Sequence, residues 1–283
     1  MRHLQNFAEL AAFYDGFILD LWGVIHDGVT PYPGAIDCLG RIRAAGKPAV
    51  LLSNAPRRAH AAQAGMRRMG IGDDRYAGIM TSGEATHRML RDRADPFFAR
   101  LGRRVFHLGP ERDRNVIDGL DLTMAAGPGD ADFVLNTGPD DLGDSTEVAA
   151  WEGTLAACRR AGLPMICANP DLEVIRGGTR LICAGALAER YETLGGTARW
   201  VGKPDPAIYV QVVAMLGLAR PRILAVGDSL RTDIAGAAAA GIDSCWVTGG
   251  IHGLELGNDR GRIEAAAAAA NLSPAACLPA FVW

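Results

Sequence analysis

Lysine is almost absent from this chain. Of 29 basic residues among 283, only Lys47 and Lys203 are lysines. A compact ammonium and a planar guanidinium are not interchangeable, so a lysine kept in a chain that otherwise uses arginine invites a chemical reason. Lys47, in AAGKPAV, has a plain one, because a basic residue favours a helix C-terminus. Lys203, in the turn RWVGKPDP, is the candidate for a chemical role. Charge of one sign is also lacking. A formal net charge of −3 and a pI near 6.1, with paired arginines such as Arg57–Arg58 and Arg103–Arg104 scattered along the chain, give no nucleic-acid-binding stripe; the pairs read as solvated helix faces.

Cysteine pairs are missing too. The six cysteines stand singly, with Cys167, Cys183 and Cys245 inside apolar runs, so neither a C-x-x-C redox pair nor a zinc spacing is present. They read as reduced packing residues of a cytoplasmic protein. No apolar run reaches the length of a membrane span, and the first residues, interrupted by Glu9 and Asp15, lack the apolar core of a signal peptide. There is no internal repeat, low-complexity tract or G-x-G-x-x-G fingerprint, and the glycines at 249–257 read as a surface loop.

What is present is a 49% hydrophobic composition, enough for one large domain or two moderate ones. Apolar runs at 16–22, 48–52 and 78–81 read as strands, separated by helices at 34–45 and 57–69 that end at Gly46 and Gly70. The same grammar returns near the C-terminus, with a strand at 222–226, a helix at 231–240, a strand at 243–247 and an alanine-rich helix around 265–270. Alternation of this kind predicts an α/β fold with a parallel sheet. Runs at 104–108, 132–136 and 164–168, alternating with expected helices at 111–118 and 145–161, form a small α/β unit of their own, read as a domain inserted at 86–183 between core halves 1–85 and 184–283.

Four segments place a reactive side chain at the end of an apolar run: Asp20 in ILDLWGVIHDG, Ser53 in AVLLSNAP, Lys203 in RWVGKPDP and Asp228 in ILAVGDSLRTDIAGAAAAGI. Parallel sheets bind ligands beyond the carboxyl ends of their strands, so four such tips would form one site of two carboxylates, a hydroxyl and an ammonium, a set suited to phosphoryl transfer.

In order and wording these segments resemble the four motifs of the haloacid dehalogenase superfamily, with Asp228, Thr232 and Asp233 before a small-residue helix as the most specific part. The resemblance implies a Rossmann-like parallel-sheet core carrying an inserted α/β type II cap, and the sequence around Asn169, Pro170 and Asp171 with CAGAL at 183–187 is similar to subclass IIA, which includes nitrophenyl, pyridoxal-phosphate and nucleoside-monophosphate phosphatases. It implies a magnesium-dependent phosphatase acting on a small phosphorylated metabolite through an aspartyl-phosphate, and a homodimer formed through the cap. Asp20 would be the nucleophile, since a carboxylate is already ionised at neutral pH. Magnesium would take Asp20, Asp228 and the backbone carbonyl of Trp22, with Asp233 orienting a metal-bound water. Ser53 and Asn54 would donate to a phosphoryl oxygen, Lys203 would neutralise charge shared with Asp20, and Asn169 and Asp171 would reach the substrate from the cap.

Blander readings stand beside these: Ser53 as a cap for helix 57–69, and Asp233 as a first-turn acid favoured by the helix dipole. One departure matters. The family's phosphatases usually carry a second Asp two residues after the nucleophile, where this chain has Trp22. An indole cannot serve as general acid or base, a loss typically worth about 10²–10⁴ in rate. Turnover would then be restricted to good leaving groups, or supplied with a proton by His26, Asp27 or Asp171, or vestigial in a ligand-binding protein. A metal-independent dehalogenase-type hydrolase is the further alternative.

Overall fold

Short apolar runs without alternation become parallel strands covered on both faces. The computed structural model describes residues 1–139, 145–257 and 259–283. Its strands are β1 Arg2–His3, β2 Gly16–Leu19, β3 Ala49–Ser53, β4 Gly78–Thr81, β5 Arg104–Leu108, β6 Thr123–Met124, β7 Phe133–Asn136, β8 Pro164–Cys167, β9 Glu173–Arg176, β10 Thr179–Ile182, β11 Thr197–Trp200, β12 Ile223–Gly227, β13 Asp243–Val247 and β14 Ala276–Leu278. A seven-stranded sheet runs β1-β14-β13-β12-β2-β3-β4, and a five-stranded sheet runs β11-β8-β7-β5-β6. Every neighbouring pair in both is parallel. The antiparallel pair β9–β10 stands apart as a hairpin.

From β2 the chain winds outward through β3 and β4, builds the second sheet, and returns on the other side of β2 as β12. The winding direction therefore reverses between β2 and β12, where a crevice opens beyond the strand ends. That reversal positions the site.

Strand side chains alternate between faces, and the two cores follow this period. Phe17 and Leu19 of β2 join one apolar cluster with Leu51 and Val226, while Ile18 joins another with Val50 and Leu52. The second cluster continues into the other sheet through Val105, Phe133 and Ile166, so the inserted unit rests on an apolar layer shared with the main sheet. Val134, Met165 and Tyr191 form a separate cluster on that sheet's far face. All six cysteines are buried and unbridged. No helix among the described residues is long and apolar enough to cross a membrane.

Several expectations need correction. The run at 16–22 leaves the sheet after Leu19, because the Leu21 carbonyl turns to accept from Ile25 and His26. The segment expected as an ordinary helix at 111–118 is a 3₁₀ helix, Glu111–Ile117, and the one at 145–161 is a 3₁₀ turn, Val148–Trp151, leading into a helix over Glu152–Arg160. Helix 231–240 opens as a π-helical turn, Leu230–Ile234, before Ala235–Ala239. The second sheet takes its edge from β11, Thr197–Trp200.

Candidate active site

Asp20 follows β2 directly, and its amide donates to the Val226 carbonyl of β12 at 2.9 Å, which fixes its backbone at the crevice. Asp228 follows β12 in the same way. Lys203 lies on the turn between β11 and the helix Pro206–Leu216, whose Asp205 side chain accepts from the Ala207 amide. The Lys203 ammonium bridges Asp20 Oδ1 at 2.7 Å and Asp233 Oδ1 at 2.6 Å. Carboxylate oxygens of Asp20, Asp228 and Asp233 lie within 4.8 Å of one another, and all three residues are buried.

Three buried carboxylates against one ammonium leave an excess of negative charge. At a separation near 5 Å and an effective dielectric near 20, each like-charged pair repels by about 3 kcal/mol. Burial, then Asp233, push the Asp20 carboxyl up to about 8 against the pull of Lys203. Burial, Asp20 and Asp233 hold Asp228 well above its ordinary value, opposed by the Ile251 amide that donates to Asp228 Oδ2 at 2.7 Å. Burial alone would lower Lys203, yet Asp20 and Asp233 keep its ammonium well above the usual lysine value. The set is hard, oxygen-rich and short of positive charge, which fits a divalent cation.

Glycines make the close approaches possible. Gly23 has φ +77°, and a Cβ there would fall 1.8 Å from Asp228 Oδ2. At Gly227 a Cβ would fall 2.1 Å from Asp233 Cγ. Asp233 has a double attachment, since its Oδ2 also accepts from the Ser229 amide at 3.1 Å, as a first-turn acid does.

Ser53, the last residue of β3, is buried and its Oγ accepts from the Ala55 amide at 3.2 Å. It caps no helix, for the next one starts at Ala59 behind Arg58. Asn54 is a hub: its Oδ1 accepts from the Lys203 amide at 2.8 Å and the Ser82 hydroxyl at 3.1 Å. Its Nδ2 donates to the Lys203 carbonyl at 3.1 Å and to Asp171 Oδ1 at 2.9 Å. Asn169 is buried and its Oδ1 accepts from the Asp171 amide at 3.0 Å, so its side chain shapes the turn that presents Asp171.

A cleft of about 990 Å³ opens onto Asp20, Trp22, Asp171 and Asp228, lined by the β9–β10 hairpin and by the 249–257 segment, which is not the plain surface loop expected, since Gly253–Leu256 forms a short helix. The Trp22 indole lies over Gly28, where a Cβ at φ +83° would fall 2.0 Å from the ring, and meets His26 edge-on at 5.4 Å between centroids. His26 is buried, its Nδ1 accepts from the Gly28 amide at 3.0 Å, and burial pulls it down to about 4. Asp27 Oδ1 accepts from the Val29 and Thr30 amides at 2.9 and 2.7 Å, the work of a turn residue.

Residues that sequence reasoning missed are supports and walls. Trp246 Nε1 donates to the Asp228 carbonyl at 2.9 Å, and the Tyr209 hydroxyl donates to the Asp233 carbonyl at 3.1 Å. Arg231 lines the cleft and donates to the Pro170 carbonyl, linking the main sheet's loop to the second unit. Buried Trp and Tyr carry polar atoms that need partners, which is the signal available in advance.

Carboxylates and one lysine gather at the reversal point of a parallel sheet, beside a second α/β unit, with an aspartate at the centre. Comparisons agree. The description "haloacid dehalogenase-like hydrolase" matches residues 17–123, and a second, HAD-hydrolase-like, matches residues 200–275. Human chronophin is 30% identical over 246 residues, spanning 85% of this chain and 83% of that protein. A haloacid dehalogenase-like hydrolase from Brucella suis 1330 has a solved structure with a TM-score of 0.84 and 34% identity, covering 99% of this chain and 100% of that one. Glycerol phosphate phosphatase from Mycobacterium tuberculosis, solved in complex with calcium, gives a TM-score of 0.63 at 27% identity over 86% of this chain and 68% of that one. The chain belongs to the haloacid dehalogenase-like hydrolases, subclass IIA.

Proposed function

We propose that this hydrolase is a magnesium-dependent phosphatase acting on a small phosphorylated metabolite through a phosphorylated Asp20. The observation that carries the reading is Asp20 held by Lys203 at 2.7 Å, beside Asp228 and Asp233 within 4.8 Å. Lys203 grips Oδ1 and so presents the other oxygen to phosphorus. Oδ2 attacks, the ester bond to the leaving oxygen breaks, and water later hydrolyses the mixed anhydride to restore Asp20. Asp20, Asp228 and the Trp22 carbonyl would hold the cation, which when bound would supply positive charge to the phosphoryl oxygens. Asp233 and Asn54 fix the Lys203 ammonium and backbone, and the Ser53 hydroxyl donates to a transferring oxygen.

Relatives support the substrate class, since the mycobacterial neighbour is named a glycerol phosphate phosphatase. The excess of buried carboxylate over ammonium weighs against a metal-free dehalogenase. A screen of phosphomonoesters with magnesium and with chelator tests the reading. Asp20→Asn should abolish turnover of every ester, and full activity in excess chelator would defeat the proposal.

A further inference from the structure

The reaction just proposed leaves two protons unassigned. The leaving oxygen needs one as its bond to phosphorus breaks, and the attacking water must lose one. Trp22 occupies the place expected for a carboxyl, and indole exchanges no proton at neutral pH.

Of the other titratable groups near the cleft, Tyr32 has a hydroxyl that burial raises further above neutral, and the rest are engaged. His26 and Asp27 serve their own turn, as described above. Glu173 is paired with Arg180 at 2.5 Å, and Arg180 also reaches Glu255 at 3.7 Å on the cleft's outer rim. His252 stacks edge-on against Trp246 at 5.8 Å. Asp171 remains. It lines the same cleft as Asp20, and its Oδ1 is held by Asn54, the residue that also holds both backbone polar groups of Lys203. Its charge is felt by Asp20 and by Lys203 alike.

We propose that Asp171, reaching in from the second α/β unit, is the general acid and base of this enzyme in place of the carboxyl that Trp22 displaces. In the first step the Asp20 oxygen bonds to phosphorus, the P–O bond to the leaving group breaks, and the leaving oxygen takes the proton of the Asp171 carboxyl. In the second step water bonds to the same phosphorus, its proton passes to the Asp171 carboxylate, and the bond from phosphorus to Asp20 breaks. Inorganic phosphate and the alcohol leave, with Asp20 ionised and Asp171 protonated again.

The surroundings suit both halves of the cycle. Burial pushes the Asp171 carboxyl above its ordinary value and Asp233 adds to this, while Lys203, the Asn54 amide and Arg231 pull it down. The Asn54 bond and the amide of Gly185, which donates to the Asp171 carbonyl at 3.1 Å, fix the residue where two structural units meet.

Asp171→Asn is the direct test, because the amide oxygen still accepts from Asn54 while the acidic carboxyl proton is gone. With magnesium present, kcat/KM is measured for substituted phenyl phosphates and an alkyl phosphate, and nitrophenol release is followed within the first turnover. Wild type should depend weakly on leaving-group acidity. The variant should lose about 10²–10⁴ in kcat/KM for the alkyl ester and little for nitrophenyl phosphate. It should also release a burst of one equivalent of nitrophenol while a protein carrying one phosphoryl group accumulates in the mass spectrum, because the second step has lost its base. Asp171→Glu should recover the shallow dependence.

An equal loss for all leaving groups, without a burst, would overturn the assignment and leave Asp171 as a positioning residue. Should the Asn variant fail to fold, Asp171→Ser is read by the same two measurements. The proposal deepens the phosphatase reading and fails separately from it: an inactive wild type, or an active Asp20→Asn, defeats the phosphatase itself.

Discussion

Asp228→Asn should stabilise the metal-free protein while destroying its response to magnesium. The variant keeps an acceptor for the Ile251 amide, which donates at 2.7 Å, and removes one of three carboxylates lying within 4.8 Å of one another. Two like-charged pairs disappear, each repelling by about 3 kcal/mol at an effective dielectric near 20, and Lys203 offsets part of this in the wild type. Near pH 8, where these carboxyls ionise, a net gain of about 2–4 kcal/mol would raise the melting temperature by several degrees, at roughly 2–4 °C per kcal/mol for a chain of this size. The pH dependence follows from the direction of the shifts. A carboxyl whose folded-state pKa is raised contributes stability at low pH that is lost as pH climbs from its unfolded value towards the folded one. For Asp20 that window runs from 3.8 to about 8, and Asp228 shifts in the same direction. In chelator, wild type should therefore lose stability relative to the variant as pH rises from about 4 to 8. Magnesium should reverse the order by stabilising wild type alone. Thermal melts across this range, with chelator and with magnesium, measure all of it. A variant that melts lower than wild type in chelator, or gains as much from magnesium, would refute the electrostatic reasoning.

Other outcomes follow from the same geometry. Lys203→Arg should abolish turnover in activity assays, since the longer planar guanidinium does not fit where a buried ammonium bridges oxygens at 2.6 and 2.7 Å. Gly23→Ala should cost about 1–3 kcal/mol for backbone strain and abolish the magnesium-induced rise in melting temperature, because the added Cβ displaces Asp228. Arg231→Ala, which cuts the link to the Pro170 carbonyl, should raise KM more than it lowers kcat in steady-state kinetics. Trp22→Asp placed in the Asp171→Asn background should restore alkyl-phosphate turnover, measured as kcat/KM, by returning a carboxyl to the cleft.

The strand tips were legible because a parallel strand covered on both faces reads as an unbroken apolar run, and its first polar residue marks the end. Asp20, Ser53 and Asp228 were found in that way, and Lys203 stood out through its rarity. The edge strand of the second sheet was not legible. β11, with sequence TARW, is an edge strand of mixed polarity that carries no such run. Nor does apolar periodicity distinguish the π-helical turn at Leu230–Ile234 from an ordinary helix, since the turn is set by a backbone bond, the Ile234 amide donating to the Ser229 carbonyl at 3.1 Å. The role of Asn54 depends on partners 149 and 117 residues away along the chain, which no local pattern encodes. Trp22 was legible as a missing carboxyl and Asp171 as one of three candidate proton donors, whereas the seat of Trp22 over Gly28 and the bond from Asn54 to Asp171 emerge only from the packing.

The central claim is that Asp20 carries the phosphoryl group, and rapid acid quenching during turnover of a radiolabelled phosphomonoester tests it most directly. Peptide mapping of the quenched Asp171→Asn variant should place the label on the peptide containing Asp20, with none on the Asp20→Asn protein. Label on any other residue, or turnover by wild type with no labelled protein in either form, would contradict the account.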